Sequence, residues 1–403
     1  MAPLFEPARH EALAAPPWSD AAARAAITRI ATAAADALDP RGRLAHPLDD
    51  GAPDARYLDL YQGSGGVLWA LHRLGEAGDF DAGGIDFAAA LADLPERNRA
   101  ALAGGLHGTA SFLLGDAGLL LLRWRLAGGD DADAQALFGV VEGNLHNPVR
   151  EALWGNPGTL LAAIHLAEAA GAERWAALVR RGAEAIVDDM EPEPGTGRWV
   201  WVQDLYGRRG VLLGAGHGFA GNLYALLRAA PWLPADRLAG VLERSLATLE
   251  SSALRSADGA LANWPPALDA GVDRKRLVQD CHGAPGIVCR LADGVPRTPA
   301  WDALLRAAGE LTWRAGPLAK GPSLCHGTAG SAWAFLKLWR RFGEPAWRER
   351  AQAFAMHAVA QVEAARARHG RARDALWTGD LGVACLLSAC LHGDARLPTF
   401  DVF

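Results

Sequence analysis

The sequence predicts an all-α fold, a ring of seven helical hairpins, on three observations. A Gly-x-x-Gly turn leading into an apolar run occurs seven times, opening at Gly63, Gly115, Gly155, Gly218, Gly283, Gly327 and Gly379. Successive turns lie 40 to 65 residues apart, room for two helices and their connections, and periodicity on that scale marks a repeat architecture. Apolar and amphipathic helical stretches alternate along the chain, while strand-like alternation is scarce.

The runs after the turns, such as residues 67–71, 160–166, 222–227 and 331–338, are apolar over most of their circumference and are expected to form buried inner helices. Between them, residues 172–190, 235–254, 299–315 and 345–367 repeat apolar positions at three and four with charges on the other face, the pattern of half-solvated outer helices. Only residues 198–202 and 209–213 read as short strands. Residues 40–56, 191–214 and 256–273 are long irregular stretches, expected as insertions near the rims, and loops of that length are often functional. A chain of 403 residues ordinarily suggests two or three domains, but a closed ring buries one continuous interior, so residues 1–403 are expected to form a single domain.

Composition narrows the function classes. The net charge of -6, without a basic stripe, argues against nucleic acid as a partner. No apolar stretch approaches the about 18 residues of a membrane span. Residues 1–20 lack the apolar region of a secretory signal, and five cysteines, an odd number, fit a reducing cytoplasm better than a disulfide scaffold.

Chemistry concentrates at the turns. Cys281-His282-Gly283 and Cys325-His326-Gly327 repeat one context 44 residues apart. Two thiolates and an imidazole form a zinc ligand set, and three ligands leave a position open for substrate, which nominates Cys281, Cys325 and His326. His282 also follows a cysteine, but as a fourth ligand it would close the site. Inner helices that all start at these turns would bring their N-termini to one mouth, where unpaired N–H groups favour thiolates and other anions. Asp116, Glu151, His217 and Asp380 are further polar residues at the turns. His217 has no charged sequence neighbour and is a candidate proton-transfer group or a core histidine. Glu151 is a candidate carboxylate or a capping residue, and Arg274 opens a basic run, Arg274-Lys275-Arg276, that is a functional element or a solvated loop. His107, His165 and His357 read as core or surface histidines.

These motifs, with Tyr61-Gln62-Gly63, Gly115-Asp116-Ala117-Gly118 and the C-terminal Leu397-Pro398-Thr399-Phe400, resemble the lanthionine synthetase C-like family over nearly the whole chain. With Cys-His-Gly at both blocks, the chain looks closer to the eukaryotic-type members than to the bacterial cyclases. The resemblance implies an α/α toroid of seven inner and seven outer helices, zinc on Cys281, Cys325 and His326, and catalytic roles for His217, Glu151 and Arg274. It also implies that Lys320 lies near a glutathione site. The implied reaction adds a thiol, from a peptide cysteine or from glutathione, to dehydroalanine or dehydrobutyrine, forming a thioether. The dehydrated peptide or protein would come from a separate dehydratase or from chemical elimination of phosphate. Asp280 departs from the family, which usually has Trp there, and would act beside the metal or on substrate fit. Two rival readings are a zinc-stabilised, non-catalytic scaffold that binds glutathione or peptide, and a glycan enzyme using Asp116, Glu151 or Asp380. The second leaves the cysteines unexplained.

Overall fold

The computed structural model describes residues 3–14, 16–268 and 275–403. Its α-helices, in chain order, are α1 (Asp20–Asp36), α2 (Ser64–Glu76), α3 (Phe87–Leu91), α4 (Leu94–Leu102), α5 (Asp116–Leu126), α6 (Asp131–Asn144), α7 (Asn156–Ala170), α8 (Glu173–Asp188), α9 (Phe219–Arg228), α10 (Ala235–Ser252), α11 (Ala284–Leu291), α12 (Pro299–Ala315), α13 (Thr328–Phe342), α14 (Pro345–His369) and α15 (Leu381–His392). None is long and apolar enough to cross a membrane.

Each glycine turn starts a helix. Gly63, Gly115, Gly155, Gly218, Gly283 and Gly327 are the N-caps of α2, α5, α7, α9, α11 and α13, and Gly379 directly precedes the N-cap of α15. The second glycine of the turn is needed for close approach. A Cβ at Gly158 would sit 2.0 Å from the carbonyl oxygen of Ala152, and one at Gly286 would sit 1.8 Å from that of Asp280. A helix can therefore fold back onto its own incoming strand only where a side chain is missing.

Two compact units divide the chain. One comprises Met1–Pro7, Gly104–Phe112 and Gln135–Ala315, the other Ala8–Ala103, Leu113–Ala134 and Gly316–Phe403. In the first, α7, α9 and α11 pack in succession, with α8 against α7 and α9, and α12 against α11. In the second, α13, α15, α2 and α5 pack in succession, with α14 on α13 and α15, α1 on α15 and α2, and α4 on α5.

The inner helices bury nearly every residue, as α7 does from Asn156 to Ala167. The outer helices bury a stripe: in α8 it is Trp175, Leu178, Val179, Gly182, Ala183, Ile186 and Val187, spaced at three and four.

The strand content differs from expectation. Four antiparallel ribbons occur among the described residues: β1 (Arg43–Leu44) with β2 (Arg56–Tyr57), β3 (Glu191–Pro192) with β4 (Trp199–Val200), β5 (Gln203–Leu205) with β6 (Arg208–Gly210), and β7 (Leu254–Arg255) with β8 (Ala262–Asn263). Residues 198–202 and 209–213 contribute β4 and part of β6. The others escape a sequence reading because strands of two residues carry no alternation to detect. All lie in or beside the three long loops.

Candidate active site

Glu151 and His217 meet in the first unit. Glu151 is 0% exposed, and its carboxylate accepts the backbone N–H groups of Leu153 (3.0 Å) and Trp154 (2.7 Å). The chain can curl around it because Arg150 takes a left-handed φ of 46°, with Asn222 Nδ2 donating to the Arg150 carbonyl at 2.8 Å. The remaining partner of Glu151 Oε2 is His217 Nδ1 at 2.7 Å. No charge neighbours His217 in the sequence; the fold supplies one. A buried carboxylate on Nδ1 makes that nitrogen the protonated one, leaves Nε2 as the proton-exchanging atom and stabilises an imidazolium when it forms.

His217 projects from the turn before α9, whose cap Gly218 has φ 129°, a value that favours glycine. Its ring stacks on His282, with centroids 6.0 Å apart and planes at 28°. Burial, then the neighbouring His217, pushes the His282 imidazole down to about 4, and its Nδ1 is buried without a hydrogen-bond partner. His282 therefore sits beside the Glu151–His217 pair as a neutral ring.

Cys281 is held by contacts that no motif announces. Gln279 Nε2 donates to Cys281 Sγ at 3.0 Å, and Gly216 N donates to the Cys281 carbonyl at 3.2 Å. A Cβ at Gly214 would fall 2.3 Å from that carbonyl oxygen and 2.5 Å from His282 Nδ1, so the segment before His217 lies directly over the cysteine. Gly214 and Gly216 thus permit this approach.

Asp280 neighbours Cys281 in the sequence but finds its partner elsewhere. It turns into the core, where Arg290 of α11 donates to both its oxygens at 3.2 and 3.0 Å, with both side chains 2% exposed. Burial pushes the Asp280 carboxyl up, and the Arg290 guanidinium opposes that shift. An arginine in an otherwise apolar inner helix required a counter-charge, and Asp280 provides it.

In the second unit, Cys325 is buried and its backbone N–H donates to the Trp377 carbonyl at 2.9 Å. Lys320 is exposed and lines a cavity of about 330 Å³ with His357, Arg368, His369 and Arg373 as further basic groups and Glu11 and Asp380 as acidic ones. Burial pushes the Asp380 carboxyl up to about 7. Asp116 is bound by Arg99 at 3.0 Å. Of the remaining histidines, His165 and His357 are buried, whereas His107 joins an aromatic cluster with Trp154 and Tyr206 that the sequence did not announce.

Cys281 in the first unit and Cys325 and His326 in the second together offer two thiols and an imidazole. Thiolates and a neutral imidazole are ligand types that zinc takes in tetrahedral sites. The donor set fits zinc, and His282 stands outside it. All five cysteines are in the thiol form. Arg274 lies outside the described residues; of the same basic run, Arg276 N donates to Glu6 Oε1 at 2.7 Å.

Among solved structures, a nisin cyclase superposes with a TM-score of 0.62 at 16% identity, covering 85% of this chain and 90% of that one. At that identity the likeness speaks to the fold alone, and with the helix order above it establishes the expected all-α, α/α toroid class. Among curated proteins, glutathione S-transferase LANCL1 of Danio rerio is 32% identical over 51% of this chain and 48% of its own length. LanC-like protein GCL1 of Arabidopsis thaliana is 35% identical over 36% of this chain and 32% of its own. The matched stretch thus spans less than half the length of either relative. The model of the family described as lanthionine synthetase C-like protein matches residues 54–402, and the chain belongs to that family.

Proposed function

We propose that this protein adds a thiol across the double bond of a dehydroalanine or dehydrobutyrine residue in a peptide or protein, forming a thioether. The observation that carries the reading is the buried Glu151 carboxylate on His217 Nδ1 at 2.7 Å, in a chain whose Cys281, Cys325 and His326 are residue types that zinc takes as ligands. Zinc bound by those three residues would lower the pKa of a coordinated thiol, of which only a few per cent is otherwise thiolate at pH 7.

The protein's own groups then handle the proton. His217 Nε2 accepts the thiol proton, and the imidazolium is stabilised by Glu151. As sulfur bonds to the β-carbon the π pair moves onto the α-carbon and its carbonyl, and His217 returns the proton to the α-carbon. The thioether and neutral His217 result, with every atom accounted for. Arg274, by the family resemblance, would help stabilise the enolate. The reaction belongs in the cytoplasm, where thiols stay reduced, downstream of a separate dehydration step.

For the thiol itself we favour glutathione. Support comes from the cavity in which Lys320 lies with Arg368, His369 and Arg373, basic groups that suit the carboxylates of such a tripeptide, and from the name of the zebrafish relative. Incubation with a cysteine-free dehydroalanine peptide should give a mass increase of one glutathione. Cyclisation of a dehydrated cysteine-containing peptide, without any glutathione adduct, would assign the nucleophile to the peptide instead. Binding of glutathione or peptide with neither product would leave the non-catalytic scaffold.

A further inference from the structure

The hairpin β5–β6 turns through Tyr206 and Gly207, both with positive φ, 52° and 72°. That two-residue geometry favours Asn-Gly and disfavours a large aromatic at its first position. Tyr206 is nevertheless there, 54% exposed, and it is fixed from three sides. Its hydroxyl accepts Trp154 Nε1 at 3.2 Å, its backbone N–H donates to His107 Nε2 at 3.3 Å, and its ring meets the His107 ring edge-on at 4.8 Å. Its ring centroid stands 6.2 Å from that of His217. Trp154 belongs to the turn that holds Glu151, so the cluster is anchored to the proton-handling pair.

We propose that Tyr206 is a specificity-determining residue, the platform on which the side chain next to the reacting dehydro residue of the acceptor peptide rests. The inference depends on the thiol-addition reading and extends it to the acceptor. Consecutive Cα atoms are about 3.8 Å apart. A dehydro residue with its α-carbon at His217 therefore brings its neighbour's side chain to the distance at which Tyr206 stands. An exposed, immobilised aromatic face at that position selects acceptors with an apolar or aromatic neighbour and gives little to small acceptors that lack one.

The substitution Tyr206→Asn suits the turn better than the native residue and removes the ring, so the variant is expected to fold. With glutathione as nucleophile, two acceptors separate the outcomes: N-acetyldehydroalanine amide, and a peptide with phenylalanine beside dehydroalanine. Tyr206→Asn should raise KM for the peptide about tenfold at unchanged kcat and leave the small acceptor within about twofold. Tyr206→Phe should retain most of the preference. Equal effects on both acceptors, or no effect on either, would overturn the proposal. A saturated analogue of the peptide, with alanine for dehydroalanine, adds a binding measurement by calorimetry independent of turnover. Loss of its binding in Tyr206→Asn, in a protein inactive with both acceptors, would uphold the platform while overturning thiol addition; unchanged binding would overturn the platform.

Discussion

The two Cys-His-Gly turns share three residues and a helix start, yet their surroundings make different use of them. In the first, Gly283 takes φ 116°, Cys281 is half-buried under Gly214 and Gly216, and His282 stacks on His217. In the second, Gly327 takes an extended φ of -131°, Cys325 is buried with its N–H on Trp377, and His326 is the proposed zinc ligand. The shared tripeptide fixes where a helix begins and puts a thiol before it. Which way the histidine serves is set by the backbone of the cap and by what packs over it.

That contrast is broken or kept most sharply by exchanging alanine for each histidine. His326→Ala should lower zinc affinity by about 10² or more, whereas His282→Ala should keep zinc near full occupancy, as read by elemental analysis after dialysis against a chelator. Equal metal loss in both variants would erase the distinction. Cys325→Ala should behave like His326→Ala.

The next effect belongs to the first turn alone. Arg290→Met strands the buried Asp280 carboxylate and should destabilise the fold by about 3–5 kcal/mol, while Asp280→Leu combined with Arg290→Met should recover most of that loss. Denaturant midpoints of the single and double variants measure it. A destabilised double variant would mean that the pair matters for more than mutual compensation.

A smaller change comes from Gly214→Ala. The new Cβ meets backbone and ring atoms at 2.3 and 2.5 Å, so the segment over Cys281 must shift, at a cost of about 1–3 kcal/mol. Gly84→Ala is the control, since nothing lies within 4 Å of its Cβ position and its φ is not left-handed. Equal losses in the two variants would show that crowding over Cys281 adds nothing.

These cases also separate what the sequence makes legible from what it hides. The helices after the glycine turns were readable because the constraint is local and steric: a turn with no room for a Cβ, followed by an apolar run. The two Cys-His-Gly blocks were readable because they repeat in type and context. The Glu151–His217 contact joins residues 66 positions apart and depends on the left-handed Arg150, which nothing nearby signals. The pairing of Asp280 with Arg290 was hidden behind its nearness to Cys281, although Arg290 in the apolar run of α11 was the available clue. Gln279 and Tyr206 carry no pattern at all, since one is a lone amide and the other an aromatic in a turn that ordinarily excludes it.

The central claim is that the Glu151-held imidazole of His217 moves the proton in thiol addition. It is tested most directly by the rate of glutathione addition to a dehydroalanine peptide in His217→Asn, with zinc content and denaturant midpoint measured on the same preparation. The account predicts a rate lower by about 10² or more in a variant that keeps its metal and its fold. A metal-loaded, folded His217→Asn that reacts at the native rate would contradict it.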